Sequence, residues 1–123
     1  MTDTHRPLVI KTTSGLDRPE TVNQAFTVAA AAVAAGAEVS LWLAGEAAWF
    51  ALPGKAAELE LEHAAPLQDL LEAVLAEGTV TLCTQCAARR GIAPGDVLPG
   101  IRIAGAPVFT EEILRPAAQA LMY

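Results

Sequence analysis

Both cysteines of the chain stand three positions apart, at Cys83 and Cys86. The run before them, Thr79-Val80-Thr81-Leu82, is apolar and β-branched and reads as a short buried strand. The run after, Thr84 to Arg90, reads as a short helix closed by Gly91. Cys83 therefore falls where a strand hands over to a helix. Free backbone N–H groups and positive dipole charge at a helix start favour a thiolate over a thiol. The thiolate is the form that attacks sulfur or carbonyl electrophiles. Cys86 comes one turn later, so both sulfurs share a helical face. That spacing permits an internal disulfide or the handover of a sulfur atom. The backbone amides from Thr84 through Gln85 to Cys86 are placed to steady an anion, and Arg90, four residues beyond Cys86, adds positive potential.

Blander readings compete. A cysteine that ends a buried strand is often an inert core residue. Arg89 and Arg90 in a last helical turn complement the dipole with no further role. A structural zinc needs about four ligands. The only further candidates are His5 and His63, at no recognisable spacing. A metal shared between subunits is left open. No metal within one chain and no cofactor are expected. A reversible Cys83–Cys86 disulfide would make the protein a thiol–disulfide couple instead.

The elements that must position these residues follow from periodicity. Leu8 to Thr13 is a continuous apolar run that suits a central strand, ending at Ser14-Gly15. Thr13, Ser14 and Gly15 sit at a strand's carboxyl end, where open parallel sheets bind ligands, so they are candidate lining of the same pocket, with a plain turn as the alternative reading. No glycine-rich phosphate fingerprint follows them. Pro19 and Glu20 open a helix, predicted to run to Ala35 and stop at Gly36, with Val22, Phe26, Ala29 and Val33 inward. Val39, Leu41 and Leu43 alternate with Ser40 and Trp42 as a second strand over Glu38 to Ala44. A short helix follows over Ala47 to Leu52. Trp42 is explained by core packing; Trp49 and Phe50 are candidates for partial exposure at a subunit contact.

Lys55 to Pro66 is ambiguous between a short edge strand, on the alternation of Glu58, Glu60 and Glu62 with leucines, and an irregular excursion. Pro66 opens an amphipathic helix carrying Leu67, Leu70, Leu71, Val74 and Leu75, with Gly78 as its cap. Beyond the cysteines, Ala93 to Asp96 turns, Ile101 to Ile103 is a last short strand, and a final helix is predicted over Thr110 to Leu121. Thr110 is its expected cap and Ile113 its inward anchor.

Strands alternating with helices predict a single α/β domain over residues 1–123. Its mostly parallel sheet of four to five strands carries helices on both faces. Met1 to Arg6 is a polar lead-in, expected to fray. The net charge of −6 and the lack of a basic tract argue against nucleic-acid binding. No apolar run reaches membrane-spanning length. The polar Met1 to Pro7 segment lacks a secretory signal, which predicts the cytoplasm. In that compartment a cysteine pair is more often redox-active, sulfur-carrying or metal-binding than a structural staple.

Several pieces in order resemble the DsrE/DsrF-like family of small sulfur-relay proteins. They are Thr13-Ser14-Gly15-Leu16-Asp17-Arg18-Pro19-Glu20, the alanine-rich helix ending in Ala35-Gly36-Ala37-Glu38-Val39, and Ala44-Gly45-Glu46. The most family-like stretch is Leu82-Cys83-Thr84-Gln85-Cys86-Ala87-Ala88-Arg89-Arg90-Gly91-Ile92, followed by Pro99-Gly100-Ile101. The resemblance implies a compact parallel α/β domain that forms homo- or hetero-oligomers, often trimers or hexamers. It also implies a persulfide carried at the position of Cys83, with Cys86 as a second sulfur position. Sulfur donor and acceptor proteins are the partners it suggests. Family members without cysteines keep a second expectation open, a non-catalytic oligomeric binding module.

Overall fold

A computed structural model describes residues 6–123. The expected fraying of Met1 to Arg6 lies outside those residues except at Arg6, and His5 lies outside them altogether. The chain builds strand β1 (Pro7–Thr12), helix α1 (Pro19–Ala34), β2 (Glu38–Leu43), α2 (Leu67–Glu77), β3 (Thr79–Cys83), α3 (Thr84–Arg89), β4 (Arg102–Ala104), α4 (Ala106–Ile113) and β5 (Gln119–Met122). Three stretches of 3₁₀ helix, at Gly45–Ala51, Ala56–Glu58 and Pro94–Asp96, fill the connections. The five strands form one sheet in the order β4-β3-β2-β1-β5, and every pairing is parallel. All the carboxyl ends therefore open on one side.

Alternation along the strands sorts the two faces. Ile10, Leu41, Leu43, Val80 and Leu82 are fully buried in the core. They pack with Val22, Phe26 and Ala29 of α1 and Leu67, Leu71 and Val74 of α2. Phe26 meets Phe50 edge-to-face at 6.0 Å between centroids. Helix α1 stops as glycine chemistry dictates. Gly36 takes φ +89° and donates to the Val33 carbonyl, and Ala37 N–H reaches back to Ala32, satisfying two end carbonyls.

The opposite face carries α4, which links β4 at one edge of the sheet to β5 at the other. Glu112 fastens it down. One carboxylate oxygen accepts from Ser40 Oγ at 2.6 Å and Trp42 Nε1 at 2.9 Å; the other accepts from Arg102 Nη2 at 2.6 Å. Arg102 also donates to Thr81 Oγ1 at 2.9 Å and lies over the Trp42 ring. Hydrogen bonds to its ionised form outweigh burial and hold the Glu112 carboxyl below its ordinary value. Trp42 is thus buried, as expected, but with its N–H satisfied by a carboxylate. Its ring meets Phe109 edge-to-face at 5.3 Å.

The C-terminal third corrects the expected layout. The last helix begins at Ala106, with Gly105 as its cap instead of Thr110, and ends at Ile113 instead of Leu121. Ile113 is only partly buried. Pro107 suits the first turn, and Pro116 cannot continue a helix. Ala117 takes φ +66° and turns the chain, so Gln119–Met122 becomes the fifth strand along β1. Tyr123 extends this contact: its N–H donates to the Lys11 carbonyl at 2.8 Å, and its carbonyl accepts from Thr13 N–H at 3.0 Å.

Glu58 to Glu62 forms no strand. Leu59 is buried and the three glutamates face water, but no partner strand runs alongside. Phe50 is 1% exposed, so only Trp49 of the predicted pair reaches the surface in part.

Candidate functional site

The strand-to-helix junction forms as the sequence implies. β3 ends on Cys83, whose backbone is extended (φ −63°, ψ 126°), and α3 starts at Thr84. Cys83 is half-buried, Cys86 is buried, and both thiols are free. Burial pushes the Cys83 thiol up. The Cys86 backbone N–H, the Cys86 thiol, the Gln85 backbone N–H and the Lys11 charge together outweigh it, and the net direction is down. The arrangement favours a thiolate on Cys83.

Cys86 is held from its far side. Gly45 N–H donates to Cys86 Sγ at 3.2 Å. A Cβ at Gly45 would stand 2.8 Å from the Thr13 carbonyl oxygen, and the residue's φ is +52°. Glycine is therefore required where the chain turns off β2 toward the cysteines.

Both cysteines open onto a cavity of about 540 Å³ at the carboxyl end of the sheet. Thr84 and Gln85 line it beside them. Trp42, Pro107 and Phe109 form an apolar wall, and Lys11 and Arg89 contribute two cations. The Lys11 ammonium lies 5.2 Å from the Phe109 ring centroid. Among the described residues no carboxylate lines this cavity.

Three expected lining residues stand elsewhere. Ser14 is buried and Gly15 packs behind the site, where a Cβ would come within 2.6 Å of the Glu46 carbonyl oxygen. Thr13, the remaining residue of that expected loop, does line the cavity. Arg90 turns away from the cavity. Its Nε and Nη2 donate to Glu46 Oε2 at 3.1 and 2.8 Å, and its Nη1 donates to the Cys86 carbonyl at 3.1 Å. Arg90 thus holds the Glu46 carboxylate while Gly15 packs close to the Glu46 backbone, and Glu46 follows the glycine bonded to Cys86. Their part is support of the loop; Arg89 carries the charge that faces the cavity.

Lys11, Trp42, Gly45 and Phe109 were not expected at this site. Lys11 alone left a signal, as a charge inside an otherwise apolar central strand. Among the described residues no group of three or more His, Cys, Asp or Glu is placed to hold a metal, and His63 is exposed on a turn with φ +59°.

The model of the DsrE/DsrF-like family matches residues 8–119. No match occurs among curated proteins. The fold is similar to the crystal structure of the ychN protein from E. coli, with a TM-score of 0.80 and 21% identity over 96% of this chain and 99% of that one. It is also similar to MTH1491 from Methanobacterium thermoautotrophicum, described as of unknown function, with a TM-score of 0.65 and 7% identity over 97% and 99% of the two chains. A third likeness is to BT1422 from Bacteroides thetaiotaomicron, also of unknown function, with a TM-score of 0.59 and 17% identity over 96% and 95%. At these identities the likeness is one of fold.

Proposed function

The chain belongs to the DsrE/DsrF-like family, and from that premise we propose that it is a sulfur-transfer protein carrying a persulfide on Cys83. The observation that carries this reading is a half-buried thiol at the open end of a parallel sheet, held below its ordinary value by Cys86, Gln85 and Lys11 and facing a cavity. The Cys83 thiolate attacks the outer sulfur of a donor persulfide; the donor's S–S bond breaks, and the donor leaves as a thiol. In the second half of the cycle an acceptor thiolate attacks the outer sulfur of the Cys83 persulfide and releases Cys83. Cys86 donates a hydrogen bond to the anion and assists the handover. A reducing compartment such as the cytoplasm keeps both thiols free for this cycle. Among the described residues no helix is long and apolar enough to cross a membrane.

The test is intact-protein mass spectrometry after incubation with a persulfide donor. Wild type gains one sulfur atom and Cys83→Ser gains none. Equal gain by Cys83→Ser overturns the assignment.

A second reading, reversible disulfide chemistry, draws on the contact between the two thiols. A Cys83–Cys86 disulfide that forms and breaks at cellular potentials supports it. Thiols that react with neither persulfide nor oxidant leave a binding module.

We propose further that the chain assembles with copies of itself. Leu114, Met122 and Leu121 are 74%, 61% and 37% exposed on the α4–β5 side, and β5 leaves one edge of the sheet open.

A further inference from the structure

The cavity is far larger than one transferred sulfur atom requires. A single water occupies about 30 Å³ of liquid, and a sulfur atom is of similar scale. The space in front of Cys83 is about 540 Å³, within the range of about 300–1,000 Å³ in which small-molecule sites fall.

Its lining is also selective. The chain carries a net charge of −6, yet this opening is lined by Lys11 and Arg89 and, among the described residues, by no carboxylate. The two cations come from distant segments of the sequence, one on β1 and one at the end of α3. The ring under Lys11 belongs to α4, fixed by the Glu112 network. Trp42 and Phe109 stand edge-to-face and are braced before any ligand arrives. An apolar wall, two cations and a reactive thiol together fit an organic anion with sulfur at one end.

Resting on the Cys83 assignment, we infer that the sulfur donor is a low-molecular-mass organic persulfide bearing a carboxylate, which enters this cavity without a carrier protein. The carboxylate lies toward Lys11 and Arg89, and the organic part rests against Trp42 and Phe109. The Cys83 thiolate attacks the outer sulfur of R–S–S–H. A bond forms between Cys83 Sγ and that sulfur, the bond between the two donor sulfurs breaks, and R–S⁻ leaves with the electron pair. The proton on the transferred sulfur passes to R–S⁻, giving R–SH and a persulfide anion on Cys83. The transferred sulfur keeps its oxidation level, so no oxidant or reductant is consumed.

The experiment compares two donors that differ in one charge, the persulfides of N-acetylcysteine and of its methyl ester. Loading of Cys83 is followed by intact mass. Wild type is expected to load from the acid roughly ten-fold faster than from the ester, the ratio that corresponds to about 1.4 kcal/mol of charge recognition. In the Lys11→Gln, Arg89→Gln double variant the ratio falls to about two-fold or less. Arg89→Lys, which keeps the charge on an exposed residue, retains the preference. Using the ratio cancels the effect of Lys11 on the thiol itself. Equal loading of wild type from acid and ester overturns this inference and leaves the Cys83 assignment standing. So does loading from a protein-bound persulfide alone. Failure of Cys83 to take sulfur from any donor removes both.

Discussion

The Gly45 N–H points at Cys86 Sγ across 3.2 Å, joining two segments that lie 41 positions apart in the chain. The bond fixes the second thiol, which in turn helps hold the Cys83 thiol below its ordinary value. Gly45→Ala forces a left-handed φ of +52° on a residue with a side chain and sets its Cβ 2.8 Å from the Thr13 carbonyl oxygen. Urea denaturation should show a loss of about 1–3 kcal/mol. Wild-type stability in the variant would show that the loop relaxes freely and that glycine is not needed there.

The Cys83 thiol is held below the ordinary cysteine value, so its anion persists to lower pH than that of a free thiol, and its reactivity falls as pH drops through the lowered value. The rate of iodoacetamide modification of Cys83, assigned by peptide mass, should therefore reach half its maximum at a lower pH than that of an unstructured cysteine peptide. Lys11→Gln removes a favourable charge and Cys86→Ala removes a hydrogen bond; each moves the midpoint upward. An unchanged midpoint in both variants contradicts this account of the thiol.

Glu112 joins α4 to β2 and β4 through three donors, and its side chain is 16% exposed. Glu112→Ala strands Ser40, Trp42 and Arg102 together. A loss of about 2–4 kcal/mol is expected from chemical denaturation. Arg102, 38% exposed, takes the smaller share because water screens it. The depressed carboxyl also sets a pH dependence. Its contribution is fully present above the unfolded glutamate value of about 4.3 and fades as pH falls through the lower folded value. Glu112→Gln should flatten the acid limb of the stability curve relative to wild type.

Self-assembly through the α4–β5 side predicts that Met122→Lys, at a residue 61% exposed, leaves the monomer fold intact. It should shift sedimentation velocity profiles toward smaller species. Identical profiles for variant and wild type would move the interface elsewhere or remove it.

How much was legible in the residues follows the range of the forces involved. Strands β1 to β3 and helices α1 and α2 announced themselves through local periodicity, and the cysteine junction through its strand, its helix and their boundary. The C-terminal third did not. Gln119 to Met122 is rich in residues that favour helices, and only the open edge of β1 makes it a strand. Pro116 was the local sign that the helix could not pass. The same long-range closure explains the cavity. Trp42 and Phe109 meet because α4 crosses the whole sheet from β4 to β5, a distance that no spacing along the chain encodes. Arg89 and Arg90 are neighbours with opposite destinations, and the choice between them rests on Glu46, which approaches from a different loop.

Tyr123 is bonded on both sides to the strand that carries Lys11, giving to its carbonyl and taking from the amide of Thr13. The rim of the sheet is thereby latched to the backbone beneath the cavity's lysine. A load on that rim, such as a docked subunit, would be passed to the backbone that carries the cavity's lysine. Assembly and sulfur chemistry would then be thermodynamically linked, each biasing the other through a single outer strand.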